Sequence, residues 1–122
     1  EVILKEIDKR IEQLGNNTAS GEWSATYTAK DGSETPHGGD FSLLIDTNGV
    51  ISGIYHEVGG EIAVSGTWNP ASGACSGVGN DPSSPATWSG TLTKGAGGYT
   101  GQGTLSYKPN AGGSGAGSWS TK

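Results

Sequence analysis

From Gly21 onward the sequence alternates between apolar and polar side chains in short segments. Phe41, Leu43 and Ile45, for example, occupy every second position, with Ser42 and Leu44 between them. A period of two places successive side chains on opposite faces of a β-strand. Turn residues recur between these segments, so the pattern predicts about eight short antiparallel strands between Gly21 and Thr121.

The connections between the predicted strands carry residues that favour tight turns. Asp46 to Gly49 are predicted to close a hairpin, with the Asn48-Gly49 pair supplying positive φ. The polar segment from Lys30 to Gly39 is predicted to be a longer loop. Since nearly all other connections are short, the predicted fold is mostly β, a meander closed as a small barrel or folded as a two-layer sandwich.

Several of the 23 glycines fall inside predicted strands, where glycine normally costs conformational entropy. Some share a strand face with a large ring, as Gly90 does with Trp88. Rings on one strand are expected to lie over bare glycines on the next, or an N-terminal helix to press directly on a glycine floor. Either arrangement makes these glycines packing devices and not ligand loops.

The first residues are chemically different from the rest, because they are rich in aliphatic and charged side chains. Apolar residues recur at helical spacing and Gly15 stands where a C-terminal cap belongs. The pattern predicts two parts, an amphipathic oligomerisation helix over residues 1–15 and a Gly-rich β-meander domain over residues 16–122. The apolar stripe packs either on the domain's own sheet or between subunits. Its residues are Ile3, Leu4, Ile7, Ile11 and Leu14.

Composition disfavours several classes of partner. The formal net charge is −5 and the lysines after residue 14 are scattered, so nucleic acid is a poor partner. No apolar run approaches the roughly 18 residues of a membrane span. Cys75 is the single cysteine, and His37 and His56 lack metal-ligand spacing. We therefore predict no disulfide framework within the chain, no metal site and no cofactor.

Catalytic patterns are also missing. No Gly-x-Ser-x-Gly elbow occurs, and Glu57 and Glu61 flank one tight turn, where they are expected to be solvated hairpin ends. We therefore predict a protein that is not an enzyme. The four tryptophans are expected to form much of the core, or alternatively to stack on a ligand if they face water. They are Trp23, Trp68, Trp88 and Trp119.

Segments 21–24, 41–53, 62–67, 88–93 and 117–120 resemble the Gly-rich β-meander modules of bacterial secreted and surface proteins. The layout of a helix followed by a β domain also resembles a type IV pilin that lacks its apolar helix tip. Segments 51–55 and 88–90 are similar to strands of avidin-type barrels, although no biotin-binding set can be matched. The first resemblance implies an extracellular or cell-surface location.

Together these patterns predict a non-enzymatic, extracellular structural subunit. It would be a homo-oligomer assembled through the N-terminal helix, as a pilus-like filament or as a trimeric stalk and head. The alternative is a β-barrel module that binds a glycan or a small ligand through exposed Trp and Tyr side chains.

Overall fold

The computed structural model describes residues 17–122, and within this range the chain forms eight β-strands. The strands are β1 (Thr18–Thr28), β2 (Glu34–Ile45), β3 (Val50–Glu57), β4 (Gly60–Trp68), β5 (Ala74–Gly79), β6 (Ala86–Gly95), β7 (Gly98–Tyr107) and β8 (Ser114–Thr121). No helix within residues 17–122 is long and apolar enough to cross a membrane. The predicted helix over residues 1–15, with Ile3, Leu4, Ile7, Ile11 and Leu14, lies outside the described residues.

The strands form a closed barrel in sequence order, and each pairs antiparallel with its neighbours. Closure comes from β1, where Trp23 pairs with Gly39 of β2 on one side and with Trp119 of β8 on the other. The predicted antiparallel meander is confirmed, and of the two predicted forms the barrel is the one adopted. The hairpin predicted at Asp46 to Gly49 also forms between β2 and β3, although Gly49 takes positive φ, at 80°, and Asn48 does not.

The predicted loop from Lys30 to Gly39 is wrong over its second half. Strand β2 already begins at Glu34, which pairs with Thr28 of β1. This segment is polar and contains Pro36 and two glycines, so it lacks the apolar alternation of a strand. Its extended form follows from pairing with β1, a contact that local sequence does not report.

Alternate side chains point into the barrel and form one continuous core. The buried apolar residues of the described chain are Ala19, Trp23, Ala25, Phe41, Leu43, Ile45, Ile51, Val64, Cys75, Leu92, Tyr99 and Trp119. Ile45, Ile51 and Leu92 are fully buried and lie near one end of the barrel, which we call the closed end. At the opposite end the strands are joined by the loops around residues 29–33, 58–59, 80–85 and 108–113.

Aromatic rings lie over glycines of neighbouring strands. A Cβ added to Gly103 would be 2.6 Å from Cζ2 of Trp119, and one added to Gly77 would be 2.7 Å from Cζ2 of Trp88. Non-bonded carbon atoms prefer about 3.5–4.0 Å, so only glycine leaves room for these rings. The prediction that strand glycines are packing devices is confirmed in its ring-over-glycine form.

The pilin-like layout and the filament reading built on it are wrong for the described chain. That reading took the N-terminal helix as the main apolar surface on which a thin β domain depends. The barrel instead encloses its own core and pairs both edges of each strand in the described range. The alternating pattern is the same for an open module and a closed barrel, so the sequence did not distinguish the two.

Replacing Gly103 with alanine is expected to lower the free energy of unfolding by about 1–3 kcal/mol, because the new methyl group overpacks the core against Trp119 and the Ser89 carbonyl. The matched control is Gly97→Ala in the β6–β7 turn, where an added Cβ meets nothing within 4 Å. This control should stay within about 0.5 kcal/mol of the unmodified protein. Urea unfolding of both variants makes the comparison, and equal losses would contradict the packing role of Gly103.

Candidate functional site

A cavity of about 310 Å³ occupies the half of the barrel away from the closed end. Its depth is lined by core side chains such as Phe41, Leu43 and Val64. Around its opening are residues of the connecting loops, including Val58, Ser84 and Pro109. The volume falls at the lower end of the roughly 300–1,000 Å³ typical of small-molecule sites.

The walls of the cavity are largely aromatic, and their rings pack mostly edge to face. Trp23 and Tyr55 have ring centroids 5.7 Å apart at 84°, and Trp119 packs in the same way against Phe41 at 5.9 Å and Trp88 at 6.0 Å. Tyr27 and Tyr107 stack at 6.5 Å with an interplanar angle of 11°. Edge-to-face packing fixes each ring by its neighbours, so the cavity is preformed and not collapsed.

The tryptophan N–H groups differ in whether they find a partner. Trp23 Nε1 donates to the His56 carbonyl at 3.0 Å, Trp68 Nε1 to the Leu92 carbonyl at 2.8 Å and Trp119 Nε1 to the Ser89 carbonyl at 3.2 Å. Within residues 17–122, Trp88 Nε1 and the Tyr107 hydroxyl are buried without a hydrogen-bond partner. Each such orphan normally costs folding free energy.

Glu57 places a carboxyl group among the residues that line the cavity. Burial raises the pKa of Glu57, and the negative charge of nearby Asp81 and a hydrogen bond with it raise that pKa further. The pKa of Asp81 is lowered, chiefly by its hydrogen bonds from Ser83. The pKa of Tyr55 is raised to about 12, first by burial and then by the charges of Glu57 and Asp81. The cavity opening therefore has a negative electrostatic potential near Glu57 and Asp81.

On the outer surface beside the opening, His56 lies between two carboxylates. Its Nδ1 contacts Asp40 Oδ1, and its Nε2 lies 3.1 Å from Glu61 Oε1. The hydrogen bonds to Glu61 and then to Asp40 raise the pKa of His56. In residues 17–122, no group of three or more His, Cys, Asp or Glu side chains is arranged to hold a metal ion.

The structure divides the four tryptophans that sequence singled out. Trp23, Trp88 and Trp119 line the cavity, and Trp23 and Trp119 are only 7% and 6% exposed. Trp68 lies toward the closed end, edge to face with Tyr99 at 4.9 Å. Three tryptophans therefore meet around one enclosed space instead of forming an open platform.

Sequence reasoning missed Glu57, Tyr55 and Tyr107 as residues of this site. Glu57 was expected to be a solvated hairpin end, yet it lines the cavity. The signal was present in the strand period, because Ile51, Tyr55 and Glu57 occupy the same face of β3. Extending the alternation to the last residue of the strand would have found it.

Replacing Tyr107 with phenylalanine is expected to raise the free energy of unfolding by about 1 kcal/mol, because it removes a buried hydroxyl that has no partner in the described chain. Tyr27→Phe is the matched control, since the Tyr27 hydroxyl donates to the Gly112 carbonyl at 2.7 Å. That variant should lose about 0.5–1.5 kcal/mol. Thermal and urea unfolding measure both, and a destabilised Tyr107→Phe variant would show that this hydroxyl is satisfied.

The change in the free energy of unfolding caused by Glu57→Gln is expected to be more favourable at neutral pH than in acid. Because the folded-state pKa of Glu57 is raised, its contribution to stability is complete below the ordinary value of 4.5 and is lost as the pH rises through the folded-state pKa. The glutamine variant avoids that loss. Urea unfolding at neutral pH and at a pH below 4.5 measures the difference, and a pH-independent difference would contradict the assigned environment.

No protein-family model matches the sequence, and no curated protein matches it. Among solved structures, the chain is similar to a low-affinity mutant of shwanavidin, with 16% identity, a TM-score of 0.49 and coverage of 80% of this chain and 92% of that one. Apo shwanavidin gives 16% identity and a TM-score of 0.47 over the same shares. A de novo designed fluorescence-activating β-barrel gives 18% identity and a TM-score of 0.39, covering 84% of this chain and 92% of that one. The described chain is itself a closed antiparallel barrel, so the predicted resemblances to surface-protein modules and to a pilin are wrong.

Proposed function

We propose that this protein binds a small, largely apolar ligand inside the barrel. The observation that supports this function most directly is the preformed cavity, which is walled by aromatic rings and open between the loops at one end. Apolar surface of this kind is better covered by an apolar solute than by water. A concave apolar site with a few polar groups is the usual form of a small-molecule site.

Ring packing explains how the cavity persists without a ligand. The Trp88 ring lies over Gly66 and Gly77, and the Trp119 ring over Gly90 and Gly103. Each ring is therefore held against the barrel wall and away from the central space. A ligand that enters finds its contact surface already formed, which reduces the entropy cost of binding.

The ligand-binding alternative now takes precedence over the structural-subunit function. The exposed Trp platform of that alternative is replaced by an enclosed aromatic cavity, so an apolar ligand fits better than a glycan, which would leave many hydroxyl groups without partners. A binding role without catalysis, and an extracellular location, are parts of the same proposal.

The test is titration of the purified protein with Prodan, a neutral naphthalene ketone whose fluorescence shifts to the blue in apolar surroundings. Binding in the cavity should shift Prodan emission and quench tryptophan emission, and Leu105→Trp should weaken binding at least about tenfold. Leu105 lines the cavity, so the larger ring fills it. Tenfold corresponds to about 1.4 kcal/mol.

The matched control is Thr104→Trp, one position away on the exposed outer face of β7. It adds the same ring without entering the barrel and should bind Prodan as the unmodified protein does. Circular dichroism and thermal unfolding of both variants establish that they fold. No Prodan binding, or equal binding by Leu105→Trp, would count against a ligand site in the barrel.

A further inference from the structure

This inference rests on the proposed function and concerns the charge of the ligand. Glu57 contributes a carboxyl group to the cavity lining, and Asp81 of the β5–β6 loop is near enough for its charge to raise the pKa of Glu57. The bonds that Asp81 accepts from the Ser83 backbone N–H at 3.0 Å and from the Ser83 hydroxyl at 2.8 Å favour its ionised form. The opening thus carries negative charge next to apolar rings.

No lysine or arginine of the described chain lines the cavity to neutralise that charge. The basic side chain of the lining within residues 17–122 is His37, whose charge offsets part of the rise in the Glu57 pKa. Lys108 precedes the lining residue Pro109, but its side chain is exposed and outside the lining. Lys30 is at the same end of the barrel, but its side chain lies against Gly112 of the β7–β8 loop. His56 is occupied by Asp40 and Glu61 on the outer surface. An anionic ligand would therefore meet the charges of Glu57 and Asp81 with His37 as the one basic side chain of the described lining.

The rings near Glu57 are suited to a cation. Tyr55 and Tyr107 both line the cavity, and the charge of Glu57 raises the pKa of each hydroxyl after burial. Trp23 packs on Tyr55 and Tyr27 stacks on Tyr107, so four ring systems line the cavity that Glu57 also lines. The faces of such rings attract ammonium groups, most strongly where water is excluded. The buried Tyr107 hydroxyl, without a partner in the described chain, leaves an unused acceptor in the same cluster.

From the position of this carboxyl group among aromatic rings at the cavity opening, we propose that the ligand is an apolar cation, an ammonium group attached to a ring-bearing hydrocarbon body. The hydrocarbon body occupies the depth of the cavity between Phe41, Trp88 and Trp119. The ammonium group stays near the opening beside Glu57. Weakly hydrated tertiary and quaternary ammonium groups fit this place better than a primary ammonium group, which loses more hydration on entering.

The experiment compares two probes of the same shape, benzyltrimethylammonium and neopentylbenzene. The first has a positively charged nitrogen where the second has a neutral carbon. Both are titrated into the full chain and followed by tryptophan fluorescence and by the NMR signals of the indole N–H groups. The cation is expected to bind about tenfold more tightly. Glu57→Gln should remove most of this preference. It should weaken the binding of the cation and leave the affinity for neopentylbenzene within about twofold of that of the unmodified protein.

The matched control is Glu22→Gln, which makes the same change in net charge on the outer face of β1. Glu22 pairs with Lys122 at 3.2 Å and does not line the cavity, so this change should not alter the preference between the probes. Added sodium chloride gives a second measurement that needs no variant, because it should weaken the binding of the cation more than the binding of the hydrocarbon.

The outcomes separate this inference from the proposed function. If neopentylbenzene binds as tightly as the cation, or if Glu57→Gln leaves the preference intact, the inference is overturned and the ligand site stands. If neither probe nor Prodan binds, both are overturned. If Glu22→Gln weakens the binding of the cation as much as Glu57→Gln does, the attraction is due to net charge and the inference also fails.

Discussion

The packing of aromatic rings over glycines is the interaction on which the rest of this structure depends. A chain with few aliphatic residues has little material with which to fill a barrel of eight strands. Trp88 and Trp119 compensate by packing directly on bare backbone, where each contacts glycines of two neighbouring strands. Large rings then supply the apolar contact area that Leu and Ile supply in most cores, at the cost of strands weakened by glycine.

The same packing accounts for the difference between the two halves of the barrel. At the closed end, Ile45, Ile51 and Leu92 pack among Trp68 and Tyr99 and leave no exposed surface on these three aliphatics. In the other half the rings are held at the wall, and the space between them stays open. The same barrel thus has a tightly packed closed end and a cavity in its other half.

Local sequence predicted what depends on local geometry. The alternation located most strands, the Asn48-Gly49 pair located a hairpin, and the glycines inside strands indicated ring packing. Barrel closure could not be predicted, because the pairing of Trp23 with Trp119 joins residues far apart in sequence and an open sandwich has the same pattern. The cavity was equally hidden, since it depends on how all inward side chains together fill the interior. Glu57 was missed for a simpler reason, because it was judged by its turn and not by its strand face.

Barrel closure also brings the two ends of the described chain together. The Lys122 backbone N–H donates to the Ser20 carbonyl at 3.0 Å, and Thr121 pairs with Gly21. Both ends leave the barrel beside the hairpin at Asn48, opposite the cavity opening. A tag, surface or fused domain joined at residue 122 would therefore hold the protein with its opening facing outward. Such neighbouring ends also suit the barrel to circular permutation, with new ends cut into a turn of the closed end.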